Sequence, residues 1–369
     1  MRILLVTGSF PPMKCGVGDY SAHLAKHLGK GKNTAVAVLT DAAAASAPAD
    51  PDFHLLPVVR GWRIGDLPVV KKAIADWNPD IVHVQYPTQG YGRKKLPWLL
   101  PAIAAAMKYK VVQTWHEYFP MGGYANLLNT VVPGGLIAVR PHYLEKMPSW
   151  YRWLVRKKAF AFIPNASTIP YMRLSPAETE EIRSRFSRDG GPLVAYFGFA
   201  YPEKGVERVF DIADPARHHL VLICDLDPAD RYHARVLDLS RKSPWRGRVT
   251  VTGFLPKEEA GRILAAADAV LFPFRKGGGE WNTSLHAALA QGTFVLTTSG
   301  LREGYDPSEN VFYSRPDDVR GMREALLSHA GTKRDGRPSD FQGDWDTIAA
   351  AHMDLYRRIL ETPASGNRA

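Results

Sequence analysis

The sequence predicts an α/β protein built from two Rossmann-like, doubly wound halves in tandem. Three observations predict it. Short β-rich apolar runs alternate with helical patterns along almost the whole chain. The alternation breaks at a polar, glycine-bearing stretch over residues 183–191 and then restarts. Loops containing glycine follow strand ends in both halves. Alternating strands and helices imply a parallel sheet covered by helices on both faces. A chain of 369 residues has room for two domains, each with its own core.

In the first half the expected strands are residues 3–7, 34–39, 81–85, 111–115, 136–139 and 160–163. Each is brief, rich in Val, Ile or aromatics, and bounded by turn residues. Continuous apolar runs of this length suit strands buried on both faces. Residues 21–28 and 69–77 read as amphipathic helices between them. The stretch ending in Asp189-Gly190-Gly191-Pro192 reads as a linker. Strands follow at 193–197, 220–224, 249–252, 269–272 and 294–297, with helices at 258–267, 284–290 and 319–330. A last helix is expected over 345–360, with a disordered tail after it. The domains are therefore drawn as 1–187 and 188–344.

Composition narrows the function classes. The chain carries a net charge of +10, unevenly placed. Residues 1–187 hold 23 Lys and Arg against 12 Asp and Glu; residues 188–369 hold 24 against 25. Arg156-Lys157-Lys158 follows Trp150, Tyr151 and Trp153, a mix that suits an anionic membrane surface or an acidic acceptor. No nucleic-acid motif accompanies the charge. No apolar run reaches the roughly 18 residues of a membrane span, and the first residues lack a signal peptide's pattern. Two cysteines, Cys15 and Cys224, make no disulfide framework, and no His/Cys spacing suggests zinc. A cytoplasmic setting is expected, peripheral on the inner face of a membrane.

Four segments carry candidate chemistry, each just after a strand. Ligands of open α/β sheets sit outside the carboxyl ends of strands, so one shared cleft is expected. The first runs from Thr7 through Cys15-Gly16-Val17-Gly18-Asp19-Tyr20, where glycine admits close approach and the next helix offers its first amides to an anion. The second is Gly198-Phe199-Ala200-Tyr201-Pro202-Glu203-Lys204-Gly205, with Lys204 as a point cation for a diphosphate. The third runs from Phe272 to Gly292. There Asn282 or Thr283 can cap a helix whose opening amides cradle phosphate oxygens, and Glu280 can accept hydrogen bonds from sugar hydroxyls. The fourth is Thr114-Trp115-His116, which points a histidine at the cleft. Gln85 and Tyr86 are placed similarly and could touch an acceptor. Asp225-Leu226-Asp227 fits a metal-nucleotide pattern but lacks its context, so no metal site is assigned.

At this point the chain resembles the GT-B glycosyltransferases of family 4, a group of mostly retaining enzymes, over nearly its whole length and in order. The loop Pro11-Pro12 to Tyr20 resembles the family's glycine loop. Thr114-Trp115-His116 resembles its strand-end histidine, and residues 163–170 the approach to the interdomain linker. Gly198 to Gly205 resembles the Gly-Arg…Lys-Gly diphosphate site, and Gly253-Phe254-Leu255-Pro256 the turn that meets the nucleobase. The resemblance implies two Rossmann-like domains facing across a cleft, with the final helix crossing back onto the first. The first domain would be the acceptor side and the second the nucleotide-sugar side. It places Gly16 and Gly18 by the donor diphosphate, His116 on the donor sugar, Lys204 on the diphosphate and Phe254 by the base. Glu280 becomes the first of the family's paired glutamates. The amides of Thr283, Ser284 and Leu285, beside Asn282, would meet the phosphates.

The chain departs from the pattern in two ways. Phe199 stands where the arginine is expected. The second glutamate falls on Ala287 or Ala288, depending on the alignment. The resemblance implies transfer of a hexose from a UDP- or GDP-sugar to a hydroxyl acceptor, with retention and without a metal or other cofactor. A glycan or lipid-linked acceptor in surface polysaccharide or glycolipid assembly is expected. The departures leave two alternatives, a non-catalytic GT-B subunit that binds a glycan or partner, and a sugar-nucleotide epimerase.

Overall fold

Strand β1 (Arg2–Val6) shows why the first sheet is buried on both faces. Successive side chains alternate across a strand. Leu4 and Val6 enter one apolar cluster while Ile3 and Leu5 enter another on the opposite face. The computed structural model describes residues 1–118, 127–187, 189–277, 282–334 and 345–361. Two units result, Met1–Ala166 with Gly343–Ala369, and Ser167–Gln342.

The first unit adds β2 (Ala35–Asp41), β3 (His54–Val59), β4 (Ile81–Tyr86), β5 (Lys110–Trp115), β6 (Gly135–Ala138) and β7 (Ala159–Phe162). All seven strands are parallel, in the order β3-β2-β1-β4-β5-β6-β7. Helix α1 (Gly16–Gly29) covers one face. Helices α2 (Leu67–Trp77), α3 (Leu96–Ala106), α4 (Leu127–Val131) and α5 (Ser149–Val155) lie on the other, through Val70, Ile74, Leu96, Leu100, Tyr151 and Val155. Helix α2 ends where Asn78 adopts a left-handed conformation, φ 47°.

The second unit begins with α6 (Pro176–Phe186), opened by a capping box in which Ser175 and Glu178 satisfy each other's backbone amides. Strands β8 (Leu193–Phe197), β9 (His219–Ile223), β10 (Val249–Val251), β11 (Ala269–Phe272), β12 (Val295–Thr298), β13 (Gly304–Asp306) and β14 (Val311–Ser314) follow. Their order is β10-β9-β8-β11-β12-β14-β13, parallel except for the β13–β14 pair. Between them run α7 (Val209–Ile212), α8 (Arg231–Arg241), α9 (Lys257–Ala266), α10 (Thr283–Ala290) and α11 (Val319–His329). Helix α12 (Trp345–Glu361) belongs to the first unit, where Ile348, Leu355, Tyr356 and Ile359 share an apolar cluster with Tyr20, Leu24 and Leu28 of α1.

The compact units divide at 166/167, ahead of the 187/188 drawn from sequence, because α6 packs against α9 and Arg183 pairs with Asp268 at 2.6 Å. The first four residues of the polar stretch expected as linker, 183–186, are the end of that helix. Strand β3 was not expected; Pro57 interrupts its pattern, and edge strands tolerate proline.

Candidate active site

In each sheet the strand order reverses at one place, between β1 and β4 in the first unit and between β8 and β11 in the second. Loops leaving the carboxyl ends of such a pair diverge and open a crevice. The loops after β8 and β11 carry the richest group of expected site residues.

These two loops cross closely. Gly198 ends β8 with φ +125°, and a Cβ there would stand 2.5 Å from the Ser284 hydroxyl oxygen. A single turn over Pro202–Lys204 follows, closed by Gly205 at φ +65°. A Cβ on Gly205 would meet the Pro273 carbonyl at 2.3 Å, so only glycine lets the β11 loop pass. The Arg275 N–H donates to the Glu203 carbonyl at 3.0 Å, and Lys204 Nζ sits 4.7 Å from the Phe274 ring centroid. Beneath them Glu207, 4 % exposed, pairs with Arg275 and accepts from the Tyr232 hydroxyl at 2.5 Å. This buried brace was not anticipated. Glu207 lies three residues past Lys204, and its partners come from the loop after β11 and from the first turn of α8.

Helix α10 begins as expected at Asn282, whose side-chain oxygen accepts from the Ser284 N–H at 3.1 Å. The His286 N–H bonds the Asn282 carbonyl at 3.1 Å, starting the helical ladder. The cap therefore engages the Ser284 amide, which was expected to meet a phosphate. The amides of Thr283 and Leu285 stand outside the ladder, and Ser284 presents its hydroxyl to the Gly198 backbone instead. Glu280 lies outside the described residues. Ala287 and Ala288 are both fully buried in the core cluster, so neither position carries an acid toward a ribose. Phe199 stacks on Tyr201, ring centroids 6.0 Å apart, in the place of the expected arginine. Phe254, just beyond β10, is 67 % exposed. Asp227, from the weak metal pattern, accepts from the Ala229 N–H within its own turn. Among the described residues no cluster of three or more His, Cys, Asp and Glu gathers as a metal site.

The first unit holds the other expected residues. Gly16 opens α1 with open space around its α-carbon. Gly18 is buried, and a Cβ there would meet the Ser9 carbonyl at 3.0 Å, so its backbone packs against the preceding loop. His116 follows β5 and is 8 % exposed. Its Nε2 lies 2.9 Å from Gln85 Oε1, and its backbone N–H donates to the Tyr86 carbonyl at 2.6 Å. The Tyr20 ring stands edge-on to it at 4.6 Å. Gln85 and Tyr86 were expected to touch an acceptor. Both are fully buried, and Tyr86 donates its hydroxyl to the Pro97 carbonyl. Behind Gln85 lie His83, Thr114 and Tyr356 in one hydrogen-bonded chain, with His352 against Tyr20. Burial pushes the His116 pKa down to about 3, helped by the nearby His352 and Arg140, and that of His352 to about 4. Burial likewise holds His83 well below its ordinary value. All three rings are neutral at pH 7.

Comparison with known proteins agrees with this architecture. A family model described as "Glycosyl transferase 4-like domain" matches residues 15–190, and one described as "Glycosyl transferases group 1" matches residues 191–330. The GDP-mannose-dependent alpha-mannosyltransferase of Mycolicibacterium smegmatis is 25 % identical, the match covering 98 % of each chain. A 2-deoxystreptamine glucosyltransferase of Streptomyces kanamyceticus is 29 % identical over 30 % of each. Among solved structures, Anabaena HepE in complex with UDP-glucose superposes with a TM-score of 0.67 at 15 % identity, covering 98 % of both chains. The catalytic domain of starch synthase IV from Arabidopsis thaliana gives 0.69 at 14 % identity, covering 98 % of this chain and 100 % of that one. The chain belongs to the GT-B glycosyltransferases of the 4-like and group 1 family. It is a hexosyltransferase.

Proposed function

We propose that this enzyme moves a hexose from a UDP- or GDP-sugar to a hydroxyl acceptor with retention at the anomeric carbon, without a metal or other cofactor. The observation that carries the reading is the crossing of the β8 and β11 loops. It brings Lys204, Gly198 and the start of α10 to the carboxyl ends of adjacent strands at the reversal point of the sheet. That place suits a diphosphate. Lys204 offers a cation, the Thr283 and Leu285 amides offer donors along the helix axis, and Gly198 leaves room for the Ser284 hydroxyl at the start of that helix.

In the reaction the bond from the anomeric carbon to the diphosphate loosens and negative charge grows on the leaving oxygen. Lys204 and the α10 amides stabilise that charge where it develops. The acceptor hydroxyl attacks from the same face, and its proton passes to the departing phosphate oxygen. The second-unit residues Lys204, Asn282, Thr283, Leu285 and Glu280 hold the donor, with Phe254 presenting its exposed ring to the base. In the first unit Gly16 admits the phosphates and His116 meets the hexose. The relative that uses GDP-mannose and the neighbour that binds UDP-glucose support both bases as candidates.

The acceptor is a glycan or a lipid-linked sugar at the inner face of a membrane. Helix α5 supports this. Trp153 is 62 % exposed and Trp150 also reaches solvent, beside Arg152, Arg156 and Lys157. The Arg156 guanidinium lies 4.2 Å from the Trp153 ring centroid. No helix of the described residues is long and apolar enough to cross a membrane. The test is a thermal-shift screen of UDP-, GDP- and ADP-sugars, followed by turnover with EDTA present and NMR of the product anomer. A ligand bound only by the folded state raises the midpoint. Inversion of the anomer, or loss of turnover in EDTA, would refute the mechanism. The absence of any nucleotide-dependent shift would refute the donor site.

A further inference from the structure

We infer that Gln85 is a positioning residue. It holds His116 as the Nε2–H tautomer and so keeps the Nδ1 lone pair for a hydroxyl of the hexose. This rests on the reading that His116 meets the sugar. Gln85 itself is fully buried at the end of β4 and touches no substrate.

The geometry fixes the proton. Gln85 Oε1 stands 2.9 Å from His116 Nε2. A carboxamide oxygen only accepts, so the ring nitrogen facing it carries hydrogen. The ring is neutral, so it has one N–H and one lone pair, and the lone pair is on Nδ1. Among the described residues no hydrogen bond is made to that Nδ1. A hydroxyl that donates there is recognised; a hydrogen or fluorine in its place is not.

The Gln85 amide is held in turn from behind. Its Nε2 lies 3.2 Å from His83 Nε2, which is also 2.7 Å from the Thr114 hydroxyl, while His83 Nδ1 lies 2.6 Å from the Tyr356 hydroxyl. His83, Thr114 and Tyr356 are fully buried. Turning the amide would set an N–H against His116 and an oxygen against His83, and both rings would have to exchange tautomers together. The amide and the two ring protons thus form one unit, anchored on α12 by Tyr356. His352, one helical turn before Tyr356, bonds the Tyr20 hydroxyl at 3.2 Å, and Tyr20 packs edge-on against His116.

The experiment uses full-length protein labelled with ¹⁵N-histidine, whose long-range ¹H–¹⁵N spectra report the tautomer directly. His116→Gln assigns the signals. The wild-type His116 is expected as Nε2–H, and Gln85→Leu as a mixture. Gln85→Glu is expected to keep Nε2–H, because a carboxylate also only accepts. Its added charge faces Tyr20, His83, His352 and Arg140 around the ring, and it raises the His116 pKa. Loss of one neutral hydrogen-bond partner predicts that Gln85→Leu lowers kcat/KM about 10- to 100-fold, with binding of UDP or GDP alone unchanged. Gln85→Glu is expected to regain turnover as pH rises. An Nδ1–H tautomer in the wild type, or an unchanged tautomer in Gln85→Leu, overturns the positioning role. A moved proton with unaltered turnover overturns the sugar contact of His116 while the tautomer assignment stands.

Discussion

Lys204 and Gly198 show two ways a single residue serves this site. In the proposed mechanism Lys204 acts through charge on the leaving diphosphate, so Lys204→Ala is expected to reduce turnover by about 10²- to 10³-fold. Its melting temperature should stay near wild type, since the residue is only partly buried. Wild-type turnover in that variant would exclude the role. Gly198 acts through space and backbone shape. Gly198→Ala forces a Cβ toward the Ser284 hydroxyl at φ +125°, a strain of about 1–3 kcal/mol. Lower stability and weaker nucleotide affinity should appear together in denaturant and calorimetric titrations. Both residues stand out in the sequence because their signal is local, a glycine and a lysine just past a strand. Gln85 and Glu207 do not. His83 and Tyr356, the partners behind Gln85, are separated by 273 positions, and no local pattern announces that meeting. At Gly18 the spacing that resembles a ligand glycine also has a packing reason, since a Cβ there would meet the Ser9 carbonyl at 3.0 Å.

Elements were legible where burial imposed a period. The central strands β1, β4, β5, β8 and β11 are continuous apolar runs because they are covered on both faces. Helix α3 was hidden by Pro97 and Pro101 in an apolar stretch. Helix α10 was found from its cap, and the cap gives a prediction. Asn282→Ala removes the bond to the Ser284 amide and should cost about 1 kcal/mol. Weaker nucleotide binding should accompany it as the helix start loosens; undiminished affinity would detach α10 from the phosphates. Helix α5 gives another. Anionic vesicles at low salt should bind the protein, and Trp153→Ala with Arg156→Ala should weaken binding, with each lost cation costing about 1 kcal/mol. Equal binding to neutral vesicles, or none to anionic ones, would remove the membrane reading.

At the scale of the molecule, the two-unit plan was readable because each unit repeats the same strand-helix alternation around its own sheet. The membership of α6 in the second unit was not, since its last turn reads as polar linker until its packing against α9 is known. The return of α12 came from family resemblance, and its consequence is electrostatic as well as apolar. It seals His83, His116 and His352 into one neutral, buried group within the first unit. The sign of the resulting pH dependence follows from proton counting. Above about pH 6.5 these rings are neutral in both the folded and unfolded chain, and their contribution is level. Below it the unfolded chain takes up protons that the fold refuses, so stability falls as pH falls. The loss continues to about pH 4 for His352 and about pH 3 for His116, where the folded rings also protonate. Each histidine contributes at most about 1.4 kcal/mol per pH unit in that window. Carboxylates with lowered pKa, such as Asp189, act in the same direction, so the difference between variants is the informative quantity. His352→Gln removes one of the three protons, and its urea-unfolding stability between pH 6.5 and 4 should fall less steeply than that of the wild type. Equal slopes would mean that His352 is already accessible to protons in the fold, and that α12 does not close the network from solvent.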